Sequence, residues 1–178
     1  MAEPDTGAPP KVVLVAAATL AVALAVAVAV FALTKNGDEP ESGPLALVPV
    51  PAPQASSPAC TTLVGALPAE LKSNGKTLVR RELANPAPPA TVGWGQDDPL
   101  VLRCGLDRPP ELTRTASLRV VNGVQWLQVT GEGAATWYVV DREVYIGLTV
   151  PDSAGTGPLQ DVSDTVREKL PPQPLRYS

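Results

Sequence analysis

Hydrophobic and polar positions divide the chain into stretches of different period. Residues 12–33, VVLVAAATLAVALAVAVAVFAL, are apolar except for Thr19, and Lys11 and Lys35 bracket them. At ~1.5 Å per residue this run makes a helix of roughly 33 Å, against a hydrocarbon core of about 30 Å. A helix is the single-segment structure that satisfies its own backbone in lipid, so one transmembrane helix is expected over 12–33. The rival is a cleaved signal peptide, since Ala27-Val28-Ala29 resembles a small-residue cleavage site. Signal h-regions are usually about 7–15 residues and follow a basic leader; here the run is longer, and residues 1–11 hold Glu3 and Asp5 beside one Lys.

Past this run the period changes. Cys60, Leu63, Val64 and Leu67 fall on one helical face, with Ser57 as cap and Pro58 at the first position. Thr77 to Leu83 reads as a short strand with an exposed Arg80-Arg81 pair, and Asn85 to Pro89 as a proline-broken loop. Leu100, Leu102 and Cys104 alternate with Val101 and Arg103. Leu118–Val121 and Val124–Thr130 flank Asn122-Gly123, a strong hairpin signal. Thr136 to Val140 follows, then Val144, Ile146, Leu148 and Val150 alternate with Tyr145, Gly147 and Thr149. From Gly157-Pro158 onward Leu159, Val162, Val166 and Leu170 form a helical stripe that Pro171-Pro172 ends. The predicted class is α+β: an antiparallel β-meander packed with an N-terminal and a C-terminal helix, preceded by the transmembrane helix.

Prolines 40, 44, 49, 51, 53 and 58 set the organisation between anchor and domain. The expected divisions are a short N-terminus over 1–11, the membrane helix over 12–33, a Pro-rich linker over 34–59, a folded domain over 60–172 and a tail over 173–178. The linker reads either as an extended polyproline-like spacer or as disordered filler.

Composition narrows the chemistry. The net charge is −4, and from Cys60 onward 12 basic residues face 13 acidic ones. No Lys/Arg block provides a nucleic-acid footprint. Histidine is absent, which excludes a Ser-His-Asp triad, a Cys-His dyad and most zinc sites. No metal and no cofactor are expected. The two cysteines, Cys60 and Cys104, suit a single structural disulfide, stapling the first helix to the sheet. The positive-inside count is nearly balanced, Lys11 against Lys35, and gives no orientation; the cysteines decide it instead, since disulfides persist outside the cytoplasm, which places the N-terminus inside and the domain outside.

Four motifs carry a resemblance: Trp94-Gly95, the LVLRCG run from Leu100 to Gly105, the NGVQW run from Asn122 to Trp126, and WYVVDREVYIGLTVP from Trp137 to Pro151. Together they resemble an uncharacterised actinobacterial family of membrane-anchored, exported proteins known as a domain of unknown function. The resemblance covers roughly Cys60 to Pro171. It implies a cell-envelope location and implies no activity. Gln96-Asp97-Asp98 departs from the family pattern, which is shorter and richer in Pro there.

Candidate sites follow from parity. If Val144, Ile146 and Leu148 face the helices, Tyr145 and Arg103 face away, while Trp126 shares a face with Gln128. Trp94, Trp126 and Trp137 are either flat ligand platforms or core residues. The candidate binding surface is Trp94, Arg103, Trp126, Gln128, Tyr145 and Arg142. No catalytic residue is assigned. The expected function is a membrane-tethered extracytoplasmic binding or scaffolding module of the envelope, not an enzyme, contacting another envelope protein or a wall polymer. The alternative is a carboxylate-dependent glycan-processing enzyme or its accessory, which needs two of Asp97, Asp98, Asp107, Glu111, Asp141 and Glu143 in one cleft.

Overall fold

A computed structural model describes residues 11–35 and 43–177. The chain divides into two compact units, Met1–Ser42 and Gly43–Ser178. In the first, α1 runs Lys11–Lys35 as one continuous helix. Its described side chains, all within 13–30, are exposed, and Thr19 Oγ1 donates back to the Ala16 carbonyl at 2.9 Å. Counted over the described residues alone, no helix is long and apolar enough to cross a membrane. The full apolar run of 12–33 includes positions whose side chains are not described.

The second unit is α+β. Its elements are α2 (Pro58–Ala66), β1 (Glu70–Ser73), β2 (Lys76–Arg81), β3 (Thr91–Trp94), β4 (Leu100–Leu106), β5 (Leu118–Val121), β6 (Val124–Thr130), β7 (Ala134–Val139), β8 (Tyr145–Pro151) and α3 (Gly157–Lys169). Ser57 caps α2 through its hydroxyl, which accepts from the Cys60 amide, and Pro58 supplies the preset first-turn φ.

All eight strands join one sheet in the order β1-β2-β3-β4-β8-β7-β6-β5, each pair antiparallel. This departs from a simple meander. After β4 the chain crosses to the far edge, starts again at β5 and winds back until β8 pairs with β4. Two strands, β1 and β3, are absent from the sequence reading. β1 is four residues with Leu71 as its one apolar side chain, and β3 follows a proline-rich loop. Both are strands because a neighbour supplies the ladder.

The sheet curls. α3 touches β1, β5 and β6, yet the edges of a flat eight-stranded sheet would lie about 34 Å apart. α3 therefore lies in the seam between the two edges. Leu159, Val162, Val166 and Leu170 enter the main core with Cys60 and Leu63 of α2 and Trp94, Leu102, Trp126, Ile146 and Leu148 of the sheet. Cys60 and Cys104 are bonded, with Cα atoms 5.5 Å apart.

The opposite sheet face is wrapped by both ends of the unit, so the unit is wider than 60–172. At the front, Leu45 bridges Leu83, its amide donating to the Glu82 carbonyl at 2.8 Å and its carbonyl accepting from Ala84 at 2.9 Å. Gln54 donates to the Gly105 carbonyl at 3.0 Å. Gly105 sits at a bulge in β4 with φ +85°, and a Cβ there would collide with the Gln54–Ala55 backbone. From Gly43 onward, then, the expected linker is a docked strap. Its prolines leave fewer amides to satisfy; those of Leu45 and Gln54 bond to the sheet side, and those of Ala55 and Ser57 bond back to Ala52 and Gln54. The rest of the linker expectation, 36–42, lies outside the described residues. At the back, Gln173 donates to the Asp141 carbonyl at 2.9 Å, and Leu175 and Tyr177 pack on a second cluster of Leu106, Leu112, Leu127, Val140 and Tyr145. The expected tail is thus also docked through Tyr177.

Candidate functional site

The strand registers separate the residues expected to share a binding face. One cross-strand row reads Cys104–Ile146–Val139–Trp126–Arg119, and the next Leu102–Leu148–Trp137–Gln128. Both rows point to the helices. A third row, Arg103–Gly147–Tyr138–Leu127–Leu118, points to the opposite face. Trp126 and Gln128 are thus on the other side of the sheet from Arg103 and Tyr145, because Trp126 lies in register with core residues.

Burial removes four of the six candidates from any free surface. Trp94 and Trp126 are wholly buried. Their indole N–H groups are spent on the Pro68 carbonyl at 3.0 Å and on Ser163 Oγ at 2.9 Å. Tyr145 is buried under the tail; its hydroxyl donates to the Arg176 carbonyl at 3.3 Å, and the Arg176 guanidinium lies 5.0 Å over its ring. Arg142, in the turn between β7 and β8 and named for the candidate surface, is 1% exposed. Its Nη1 lies 2.8 Å from Asp141 Oδ1 and donates to the Asp141 carbonyl at 2.9 Å. Oδ1 meets the guanidinium as an ion pair and not as an aligned hydrogen bond. The other oxygen, Oδ2, accepts from the Gln125 amide at 3.1 Å. This buried pair holds the turn against β6. A turn sequence reads as solvated until the tail covers it.

Arg103 and Gln128 remain. Arg103 is half-buried; among the described residues Nε has no partner, and Nη2 reaches the Val48 carbonyl at 3.5 Å. Burial holds its pKa below the ordinary arginine value, opposed by attraction to Tyr138. Tyr138 is pushed up by burial and by Glu111, and Arg103 opposes that shift. Gln128 is exposed and pairs across the ladder with Trp137.

Trp137 leads to an open groove. A groove of about 590 Å³ is lined by Arg119, Val120, Val121 and Asn122 from the β5 edge, Trp137 from β7, and Thr156, Leu159 and Gln160 at the start of α3. It occupies the part of the seam between α3 and β5. Trp137 is half-buried there, and among the described residues nothing accepts from its indole N–H. Arg119 is exposed and has no ion-pair partner among the described residues. Asn122 closes one end, donating to Asp164 Oδ1 at 3.0 Å. The first turn of α3 carries no acidic side chain, and Thr156 makes no side-chain cap. The lining thus combines one aromatic surface, one cation and several amide or hydroxyl groups, which suits recognition of a polar, extended ligand. The sequence reading missed this groove. Trp137 was visible as one of three tryptophans, but nothing local distinguishes it from the two that are buried.

Among the described residues, no group of three His, Cys, Asp or Glu is placed to hold a metal ion. Of the six carboxylates considered for catalysis, Asp141 is buried and consumed as above, and the other five are exposed.

Residues 18–175 match the model of a family described as "Protein of unknown function (DUF3515)". No curated protein and no solved structure gave a significant match.

Proposed function

The chain belongs to the DUF3515 family of proteins of unknown function, and we propose that it is a membrane-tethered binding module of the cell envelope, with the groove at Trp137 as its ligand site. The observation that carries this reading is that groove: a half-exposed tryptophan whose N–H, among the described residues, has no acceptor, beside an arginine without an ion-pair partner among them, in a seam that α3 leaves open on the β5 side. Core tryptophans in this fold spend their N–H groups internally. The N–H of Trp137 meets no acceptor among the described residues.

Two features support the tether and the compartment. α1 is a continuous helix whose sequence carries no charge between Lys11 and Lys35. A helix apolar on every side belongs in a protein core or in lipid, and its described side chains are exposed. The Cys60–Cys104 bond suits an oxidising compartment, with the N-terminus left in the cytoplasm. A partner would then be another envelope protein or a wall polymer. A carboxylate enzyme has weaker support, since its one buried acid is already committed to Arg142 and the Gln125 amide.

The test is fluorescence of the full chain in detergent micelles. Trp94 and Trp126 are buried, so quenching by an added solute reports chiefly on Trp137. Wall-glycan fragments and peptide pools are titrated against the protein and its Trp137→Phe variant. A saturable change that this substitution abolishes is expected. A flat response to both ligand classes would refute the groove as a site.

A further inference from the structure

The two edges of the sheet end in the same local chemistry and are treated differently. Both edge strands enter two-residue turns, Asn74-Gly75 and Asn122-Gly123, with all four residues at positive φ. In such hairpins the closing pair, here Ser73 with Lys76 and Val121 with Val124, exchanges both main-chain bonds. The residue before it therefore turns its N–H and C=O outward. In β1 that residue is Lys72, and in β5 it is Val120.

At β1 the outward groups are sealed. The Lys72 amide donates to Asp161 Oδ2 of α3 at 3.0 Å. Gly157 of α3 rests on the Lys72 carbonyl so closely that a Cβ would collide with it. At β5 nothing seals them: Val120 has no partner for its outward amide among the described residues, and its side chain is 70% exposed. Proteins commonly blunt such edges, because a bare one templates pairing with another chain. Arg119 is one blunting charge, yet it lines the groove of about 590 Å³ that runs beside this edge.

We propose that the open edge of β5 receives an extended acidic peptide segment of a partner protein, which adds to the sheet as a ninth strand. This rests on the groove being a ligand site. Main-chain bonds to Val120 hold the segment, and alternate side chains enter the groove beside Arg119, Val121 and Trp137. The acidic preference follows from charge: Arg119 is the one charged residue of the lining, it has no ion-pair partner among the described residues, and the adjoining first turn of α3 carries no acid.

The probe is a displayed library of random heptapeptides, panned against the full chain in micelles. Enriched peptides carry Asp or Glu alternating with apolar residues, and they quench Trp137. Their affinity falls at least tenfold on Arg119→Glu and on Val120→Pro, which removes the outward amide without breaking a bond to β6. Should Val120→Pro fail to fold, the selected peptide is N-methylated at alternate positions, and one register of methylation abolishes binding. Enrichment of peptides without acids, or binding indifferent to every N-methyl group, overturns strand addition. If oligosaccharides quench Trp137 while no peptide does, strand addition fails and the groove stands as a glycan site. If neither quenches it, the groove reading itself fails.

Discussion

Replacing both cysteines with alanine removes a covalent link between α2 and β4 whose contribution is set by the loop it closes. Cys60 and Cys104 are 44 residues apart in sequence. In the chain-entropy account, releasing such a loop costs about 4 kcal/mol at room temperature. Typical domains are stable by roughly 5–15 kcal/mol, so the loss is a large share of the total. For a unit running Gly43–Ser178, an unfolding entropy of about 2.1 cal/mol/K per residue converts this into a fall in Tm of about 14 °C. The assay is thermal melting of the full chain in micelles, followed by near-ultraviolet circular dichroism, with Cys60→Ala/Cys104→Ala beside the parent. Both sulfurs are wholly buried, so reductant added to the folded parent leaves its melt unchanged until unfolding exposes the bond. A Tm within about 3 °C of the parent would refute the reasoning. So would full alkylation of both thiols in protein extracted from its source under thiol-blocking conditions, and the envelope reading would fall with it.

Four further outcomes are expected. Asp141→Asn leaves the Arg142 guanidinium charged at 1% exposure and costs about 3–5 kcal/mol in urea unfolding; a loss under about 1 kcal/mol would mean that Arg142 escapes to water. Gly105→Ala forces a side chain into the left-handed region and against the strap, costing about 1–3 kcal/mol and speeding proteolysis within 43–55; an unchanged cleavage pattern would contradict the docked strap. Trp126→Phe orphans Ser163 Oγ in the core and costs about 1–3 kcal/mol, whereas Trp137→Phe costs less than about 1 kcal/mol because no hydrogen bond is lost. Burial raises the Tyr138 pKa, so the unfolded chain ionises first as pH climbs past about 10. The stabilisation is complete below that range and is lost as pH rises through the folded value. Urea midpoints measured toward alkaline pH fall less steeply in Tyr138→Phe than in the parent, and identical slopes would count against a buried hydroxyl.

The periodic elements were legible without the structure because their signals are local. Ser57-Pro58 ahead of Cys60 and Leu63 specifies α2 through capping and one apolar face. Asn122-Gly123 specifies a hairpin because both residues tolerate positive φ. The alternation over 144–150 specifies β8 through the pleat, and the pair of cysteines specifies the staple. Tertiary structure decided everything that depends on which strand lies beside which. Four residues such as ELKS become β1 only when β2 and α3 supply partners. A turn such as Asp141-Arg142-Glu143 becomes a buried ion pair only when the tail covers it. Three tryptophans in similar settings divide into two core residues and one groove wall by register, and register is a property of pairs. The open edge of β5 is the clearest case: its sequence carries the same turn chemistry as β1, and the position of α3 in the seam alone leaves one edge sealed and the other bare.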